Sequence, residues 1–325
     1  MPSTIGTDTV TSIARRYIMP QIIEAVYDSN ALWFRLNKAA KKQVQGGYQI
    51  ELPVQYGKPQ QTQAYTGYDV INVAPFDVIK NAKWDWKQYA TTVAIDGLTL
   101  IKVDSPESIA NLITTQFDLA KRDFVNSLGA DLYAGSSTDV KKMEGLRDGI
   151  KDSGSYGGLN SASTFWKSKI DSSTALGSVT PKLMNDVFSA LTIGREHPTL
   201  IVGRRAFYNK FWELIYGTGG PTAAYPIAVP ATGSDEILAQ AGFTNLLFNN
   251  VPIVQDEQVD AGSGSNGRAY FLNENWWNIV VSPRADMAVE DFQTPINQDA
   301  MVAKVLWAGN TICSNPRLQG AFTAL

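Results

Sequence analysis

SPESIANLITTQFDLAKRDFVNSLGADLYA, residues 105–134, is the longest segment of the chain with a single clear periodicity. Ile109, Leu112, Ile113, Gln116, Phe117, Ala120, Phe124, Leu128 and Leu132 recur three or four positions apart and fall on one stripe of an α-helix. Asp118, Lys121, Arg122 and Asp123 crowd the other side. The ends are punctuated as well. Asp104 or Ser105 can cap, Pro106 lacks only an amide hydrogen that the first turn leaves unpaired, Glu107 suits the positive end, and Gly135 stops the helix. At ~1.5 Å per residue the helix is ~45 Å long. A helix of that length spans a domain, so other elements are expected along it, with Ile109, Leu112, Ile113, Phe117, Phe124 and Leu128 facing the core.

Upstream, Gly46-Gly47 opens a change of period. Tyr48, Ile50, Leu52 and Val54 alternate with Gln49, Glu51 and Gln55, the two-residue repeat of a strand with one buried face. A second alternating run, Ala82, Trp84 and Trp86 against Lys83, Asp85 and Lys87, continues through Thr92-Val93-Ala94-Ile95 to Asp96-Gly97 and reads as one strand. Between them lies a polar tip, Tyr56-Gly57-Lys58-Pro59-Gln60-Gln61, with Tyr65 beyond it. A two-stranded ribbon alone is marginal in water, so the hairpin is expected to project and lean on something, with these seven residues as its contact. Lys58 reads as a solvated lysine in a turn. Residues 9–27 carry apolar residues at helical spacing around Pro20, and Asn30–Lys42 reads as a second helical piece. Together they form an arm that has to dock elsewhere or on another molecule.

Downstream of Gly135 the chain turns to Ser, Gly, Asp and Lys, and residues 159–178, with Phe165 and Trp166, read as a crossing between subdomains. Pro181 begins a helix, Thr199–Gly203 is a short buried strand, and Ala206–Ile215 is an aromatic helix. Phe248, Val251–Val254, Ala269–Leu272 and Ile279–Val281 are strand candidates, and the apolar tail from Met301 to Cys313 is expected to return to the long helix. Helices mixed with strands on a central sheet make the fold α+β.

The chain has 325 residues, 44% hydrophobic and 18% charged, enough for one large or two medium domains. Twenty-eight basic residues against 31 acidic ones leave a formal net charge of -3. That balance argues against a broad nucleic-acid-gripping face, which needs clustered Lys and Arg. The single cysteine, Cys313, excludes an internal disulfide framework and fits a reducing compartment. No apolar run reaches the roughly 20 residues that span a bilayer, and no signal pattern opens the chain, so no membrane contact is expected and synthesis is placed in the cytoplasm.

Chemistry finds little footing. With one histidine, His197, and one cysteine, two-histidine and thiolate metal sets are excluded, and His197 before a proline reads as a capping or hydrogen-bonding residue. Residues 262–267 match GxGxxG, but Arg268–Leu272 reads as a strand where the dinucleotide fingerprint needs a helix. The pairs Asp256-Glu257, Glu290-Asp291 and Asp235-Glu236 point opposite ways on a strand and read as solvated surface. Trp84, Trp86, Trp276, Trp277 and Trp307 lie in apolar strand patterns and read as core or interface rather than as a sugar-binding platform. No enzyme activity and no cofactor are expected.

Three stretches carry a resemblance. Trp84-Asp85-Trp86-Lys87-Gln88-Tyr89 leads to Val93-Ala94-Ile95-Asp96-Gly97; Gly145-Leu146-Arg147-Asp148 is followed by Tyr156-Gly157-Gly158-Leu159 and Phe165-Trp166; and residues 298–310 are followed by Cys313-Ser314-Asn315-Pro316-Arg317. In this order over nearly the whole chain they resemble the major capsid proteins of tailed double-stranded DNA bacteriophages, whose fold is shared with encapsulins and the floor of the herpesvirus shell. The resemblance implies an N-terminal arm (1–40), an extended-loop hairpin (41–85), a peripheral domain (86–178 with 292–325) holding the spine helix 105–134, and an axial domain (179–291). It also implies a homo-oligomer of pentamers and hexamers forming an icosahedral shell in the virion, assembled in the host cytoplasm. The implied partners are separate scaffolding and portal proteins, decoration proteins, and packaged DNA contacted weakly and without sequence specificity. Some relatives begin with a cleavable scaffolding segment. This chain enters its arm almost at once, so the expectation is that the segment was removed or that a separate scaffold replaces it. An encapsulin-like compartment is the alternative within the fold, and a carbohydrate-binding module the alternative outside it.

Overall fold

The computed structural model describes residues 32, 33, 35, 36, 41–57, 62, 64–70, 77–102, 106–137, 139–216, 245–260, 267–297 and 299–325. In chain order these hold β1 (Lys41–Gln43), β2 (Ile50–Gln55), β3 (Ile79–Trp84), β4 (Lys87–Asp96), helices α1 (Gly97–Lys102) and α2 (Pro106–Ala134), the short α3 (Leu146–Gly149), β5 (Ser155–Tyr156), β6 (Leu159–Asn160) and β7 (Lys169–Asp171). Then follow α4 (Pro181–Leu191), β8 (Leu200–Gly203), α5 (Arg205–Tyr216), β9 (Asn245–Phe248), β10 (Val251–Gln255), β11 (Ala269–Leu272), β12 (Trp277–Val281), β13 (Ala288–Val289), β14 (Ala300–Cys313) and β15 (Gly320–Phe322). The fold is α+β.

The 29 residues of α2 make it the longest element, roughly 44 Å from end to end. Ile113, Phe117, Phe124, Leu128 and Leu132 are buried, Leu112, Gln116 and Ala120 are half-buried, and the side chain of Ile109 lies outside the described ones. Gly135 ends the helix at φ +61°, and a methyl group on it would meet the Gly145 amide nitrogen at 2.2 Å, so only glycine fits this stop. Above the helix lies a five-stranded sheet built on the long strand β14. β4 pairs antiparallel with it from Ala300↔Asp96 to Gly309↔Lys87, while β12, from Trp277↔Cys313 to Val281↔Gly309, and β13, at Leu306 and Val305, pair antiparallel along its opposite edge. Phe124 meets Tyr89 of β4, and Phe117 meets Phe292 edge-on with centroids 6.1 Å apart.

A second, six-stranded sheet has the order β7-β15-β11-β8-β10-β9. It is covered on both faces, which is why its strands are almost continuously apolar. Ile201, Ile253, Ala269 and Phe271 face α4 and α5, while Leu200, Val202, Val254, Tyr270 and Leu272 face the core shared with α2. The end of α2 reaches this sheet, with Tyr133 stacked on Tyr270 at 6.2 Å. The long helix therefore runs beneath both sheets. α4 begins with Pro181, its Thr180 cap accepting the Leu183 amide.

Two local expectations change, and the place where the arm docks becomes specific. The alternation from Ala82 to Ile95 is two strands, because the chain breaks at Asp85-Trp86: β3 stays with β2, and β4 leaves for β14. Lys41 and Lys42 are not helical. They belong to β1, which runs parallel on the edge of β12 while the Lys41 ammonium pairs with Asp286 at 2.6 Å. Leu32, Trp33 and Leu36 are helical, and they dock on their own subunit, enclosed in the core with Trp33 edge-on to Trp307. Residues 1–31 lie outside the described residues. The sheets also interleave along the chain, since β12 and β13 fall within 179–291 yet belong to the five-stranded sheet, and β7 and β15 fall outside that range yet belong to the six-stranded one.

Candidate assembly surface

The hairpin of β2 and β3 pairs from Ile50↔Trp84 to Gln55↔Ile79. Full burial is confined to its root: Ile50, Ala82 and Trp84 are enclosed, Leu52 and Val54 are half-buried against the core, and Glu51, Pro53, Gln55, Ile79, Lys80 and Asn81 are exposed. The pleat explains the root. Trp84 packs edge-on to Tyr156, centroids 5.6 Å apart, and lies on the bare backbone of Gly157, where φ is +57° and a methyl group would come within 2.8 Å of the indole. The Lys83 amide donates to the Gly157 carbonyl at 3.0 Å. Lys83 therefore turns its amide away from β2, and the opposed residues Glu51, Pro53 and Gln55 direct their backbone groups to the free edge of β2. Pro53, which has no amide hydrogen to offer, blunts that edge.

Beyond the root one face of the ribbon still rests on the body, with Leu52 and Val54 half-buried against the core. Tyr56 is half-buried within its own chain, its ring 5.9 Å from Phe165 and under the Lys80 ammonium at 4.7 Å. Gly57 is half-buried and its carbonyl accepts from the Gln55 amide group. Lys58, Pro59, Gln60 and Gln61 lie outside the described residues. A turn closed by the Asp69 amide on the Thr66 carbonyl, and by the Thr66 amide on the Asp69 carboxylate, presents apolar groups to solvent: Tyr65 is 63%, Tyr68 106% and Val70 91% exposed. Tyr68, Val70 and the exposed Ile79 are absent from the sequence-based contact set. Their signal is present in the sequence as apolar residues in an otherwise polar stretch. A cleft of about 590 Å³ is lined by Leu52 and Val54 of the hairpin and by Phe165, Trp276 and Arg317 of the body.

The body that carries the hairpin is fastened by buried polar groups. At the end of α2, Tyr89 donates to Asp131 at 2.9 Å and accepts the Met143 amide at 2.9 Å, while Lys142 pairs with Asp131 at 2.7 Å. Burial first, and the Asp131 charge with it, pushes the Tyr89 hydroxyl far above the usual phenol range. Asp148 accepts the Ser136 and Gly145 amides and ties α3 to the stop of α2. Glu144 is held by its backbone, its amide on the Asn310 side chain at 2.9 Å and its carbonyl accepting from Thr311. Its carboxyl is pushed up to about 7, by burial first and then by Asp148.

The chemical candidates have structural settings. His197 is exposed, stacked on Phe188 at 6.2 Å with Nδ1 donating to the Pro198 carbonyl. Cys313 is enclosed, and burial pushes its thiol well above the ordinary range. Asp256 is not solvated surface. It accepts from the Tyr133 hydroxyl at 2.7 Å and the Gln258 amide, with its carboxyl pushed up by burial. Residues 262–266 of the GxGxxG stretch lie outside the described residues, and strand β11 follows them. Trp84, Trp277 and Trp307 are buried, and Trp86 and Trp276 half-buried. Among the described residues there is no group of three or more His, Cys, Asp and Glu able to hold a metal ion, and no helix long and apolar enough to cross a membrane.

No protein-family model and no curated protein matches the sequence. Solved structures do match. A chain of the cyanophage A-1(L) capsid asymmetric unit is 13% identical, with 100% of this chain and 99% of that one covered at a TM-score of 0.58. The capsid of Myoviridae phage XM1 gives 9% identity, 91% and 92% coverage and a TM-score of 0.57. The holo-SrpI encapsulin complex of Synechococcus elongatus gives 11% identity, 90% and 87% coverage and a TM-score of 0.53. The long helix beneath two sheets, with a hairpin leaving at Asp85-Trp86, is thus the fold of tailed-phage major capsid proteins, which the encapsulin shell shares.

Proposed function

We propose that the chain is a shell-forming major capsid protein, assembling as pentamers and hexamers into an icosahedral shell around packaged double-stranded DNA in a virion built in the host cytoplasm. The observation that carries this reading is the fold match to a chain of a cyanophage capsid, which covers 100% of this chain and 99% of that one. The hairpin supports it, because exposed Tyr65, Tyr68 and Val70 on an arm outside the body suit a heterologous contact with the next copy. In this reading 1–40 is the arm, 41–85 the extended loop, 86–178 with 292–325 the peripheral region and 179–291 the axial region. Scaffolding, portal and decoration proteins are the proposed partners. The role is structural, and none of these residues carries a chemical step. The slightly acidic balance suits a wall that releases its contents, since strong phosphate binding impedes ejection.

Negative-stain microscopy of the purified chain, alone and with a co-expressed scaffold, tests the proposal. Closed shells holding nuclease-protected DNA in infected cells are expected, and a chain that stays monomeric under every assembly condition overturns it. The encapsulin match favours one second reading, a compartment around a protein cargo. A co-purifying enzyme in place of DNA decides for it.

A further inference from the structure

The residues that hold the arm on its own subunit do more than bury apolar surface. The Trp33 indole donates to the Leu128 carbonyl of α2 at 3.4 Å and meets Trp307 of β14, centroids 6.4 Å apart. Arg35, two residues on, reaches a different place. Its Nε and Nη2 donate to the two carboxylate oxygens of Glu274 at 2.6 and 2.7 Å, and the side chains are only 10% and 8% exposed. Glu274 opens the short turn Glu274–Trp276, which carries the chain from β11 in the six-stranded sheet to β12 in the five-stranded one. Thr199, at the foot of β8, donates to the same carboxylate at 3.0 Å and accepts the Glu274 amide at 3.1 Å. Further on, β1 lies along β12. One short stretch of arm therefore touches α2, β14, the crossover between the sheets and the strand that leaves it.

We propose that Leu32, Trp33, Arg35 and Leu36 are a latch on the joint between the two sheets, with Arg35 and Glu274 as its catch. While the latch is seated the sheets keep one relative orientation, and its withdrawal frees the crossover. The guanidinium–carboxylate fork fixes orientation as well as distance. Withdrawing Arg35 leaves an enclosed carboxylate without its cation, a strongly unfavourable state that the crossover relieves by opening to water. The latch stands on contacts within the subunit; its use during assembly rests on the proposed shell function.

Hydrogen exchange on the soluble subunit, wild type against Arg35→Met, tests it. Amides of residues 272–279 and 199–201 are expected to exchange at least about tenfold faster while those of α4 and α5 keep their rates. Unchanged rates, or a rise spread evenly through α4, α5 and both sheets, overturn the latch. Arg35→Lys keeps the charge and loses the fork, and it serves where Arg35→Met does not fold. A smaller rise confined to the same amides is expected from it, and wild-type rates overturn the proposal. Microscopy of the wild-type chain separates the two readings: a confined rise in the variants with no shells from the wild type supports the latch and overturns the shell function.

Discussion

Phe117 and Phe124 illustrate how much a single side chain carries. Both are buried on the stripe of α2, Phe117 against Phe292 and Phe124 against Tyr89. Replacing either by Ala is expected to cost roughly 3–5 kcal/mol of subunit stability in denaturant titration, because the cavity collapses only in part. A folded, equally stable variant with a defect only in assembly would place the residue at an interface instead. Glu144 gives a pH signature. Its carboxyl is pushed up to about 7 from an ordinary 4.5, so between these values the folded chain holds a proton that the unfolded chain has lost. Its contribution to stability therefore falls as pH rises from about 4.5 to about 7, and the ionised group is a full cost above that. Glu144→Gln is expected to stabilise the subunit at pH 8 by up to roughly 3 kcal/mol and to lose that advantage at pH 4. The same difference at both pH values would refute the sign.

At the scale of the element, the hairpin and the long helix behave oppositely. Among the described residues the helix buries its stripe in the core, whereas the ribbon is enclosed at its root, where Trp84 meets Tyr156 and Gly157, and rests only half-buried on the body through Leu52, Val54 and Tyr56. Tyr65→Ser with Tyr68→Ser is therefore expected to leave the melting behaviour of the subunit within about 0.5 kcal/mol of wild type while abolishing or slowing shell formation followed by light scattering. Normal shells from that variant would remove these residues from the contact. Both elements were legible from their periods, 3.6 for the stripe and 2 for the strands. The break at Asp85-Trp86 was not, since alternation continues straight through it. What ends β3 there is the competition of two partners, β2 for one run and β14 for the next.

For the whole molecule, the two sheets share a helix and are joined by a crossover that the arm secures. Tyr133 brings the end of α2 to the six-stranded sheet, and Phe117 and Phe124 bring its middle to the five-stranded one. In the proposed shell this arrangement would carry force through the enclosed parts and leave the exposed Tyr65, Tyr68 and Val70 for contacts. The buried apolar side chains each contribute roughly 1.5–3 kcal/mol, so the stability of the subunit comes chiefly from the enclosed body.

The sequence by itself determined the local elements: the helix from Pro106 with its stop at Gly135, the hairpin, the helices after Pro181 and Gly203, and the apolar strands. Their signals lie within a few residues of one another, where side-chain spacing and capping act. The tertiary structure alone decided which strands meet, that β1 is a strand on the edge of β12 rather than the end of a helix, and that Trp33 and Arg35 dock on their own subunit. Arg35 and Glu274 are 239 positions apart. No local period reports such a pair, because a ladder of hydrogen bonds or a buried ion pair is satisfied by whichever partner the packed chain brings within about 3 Å.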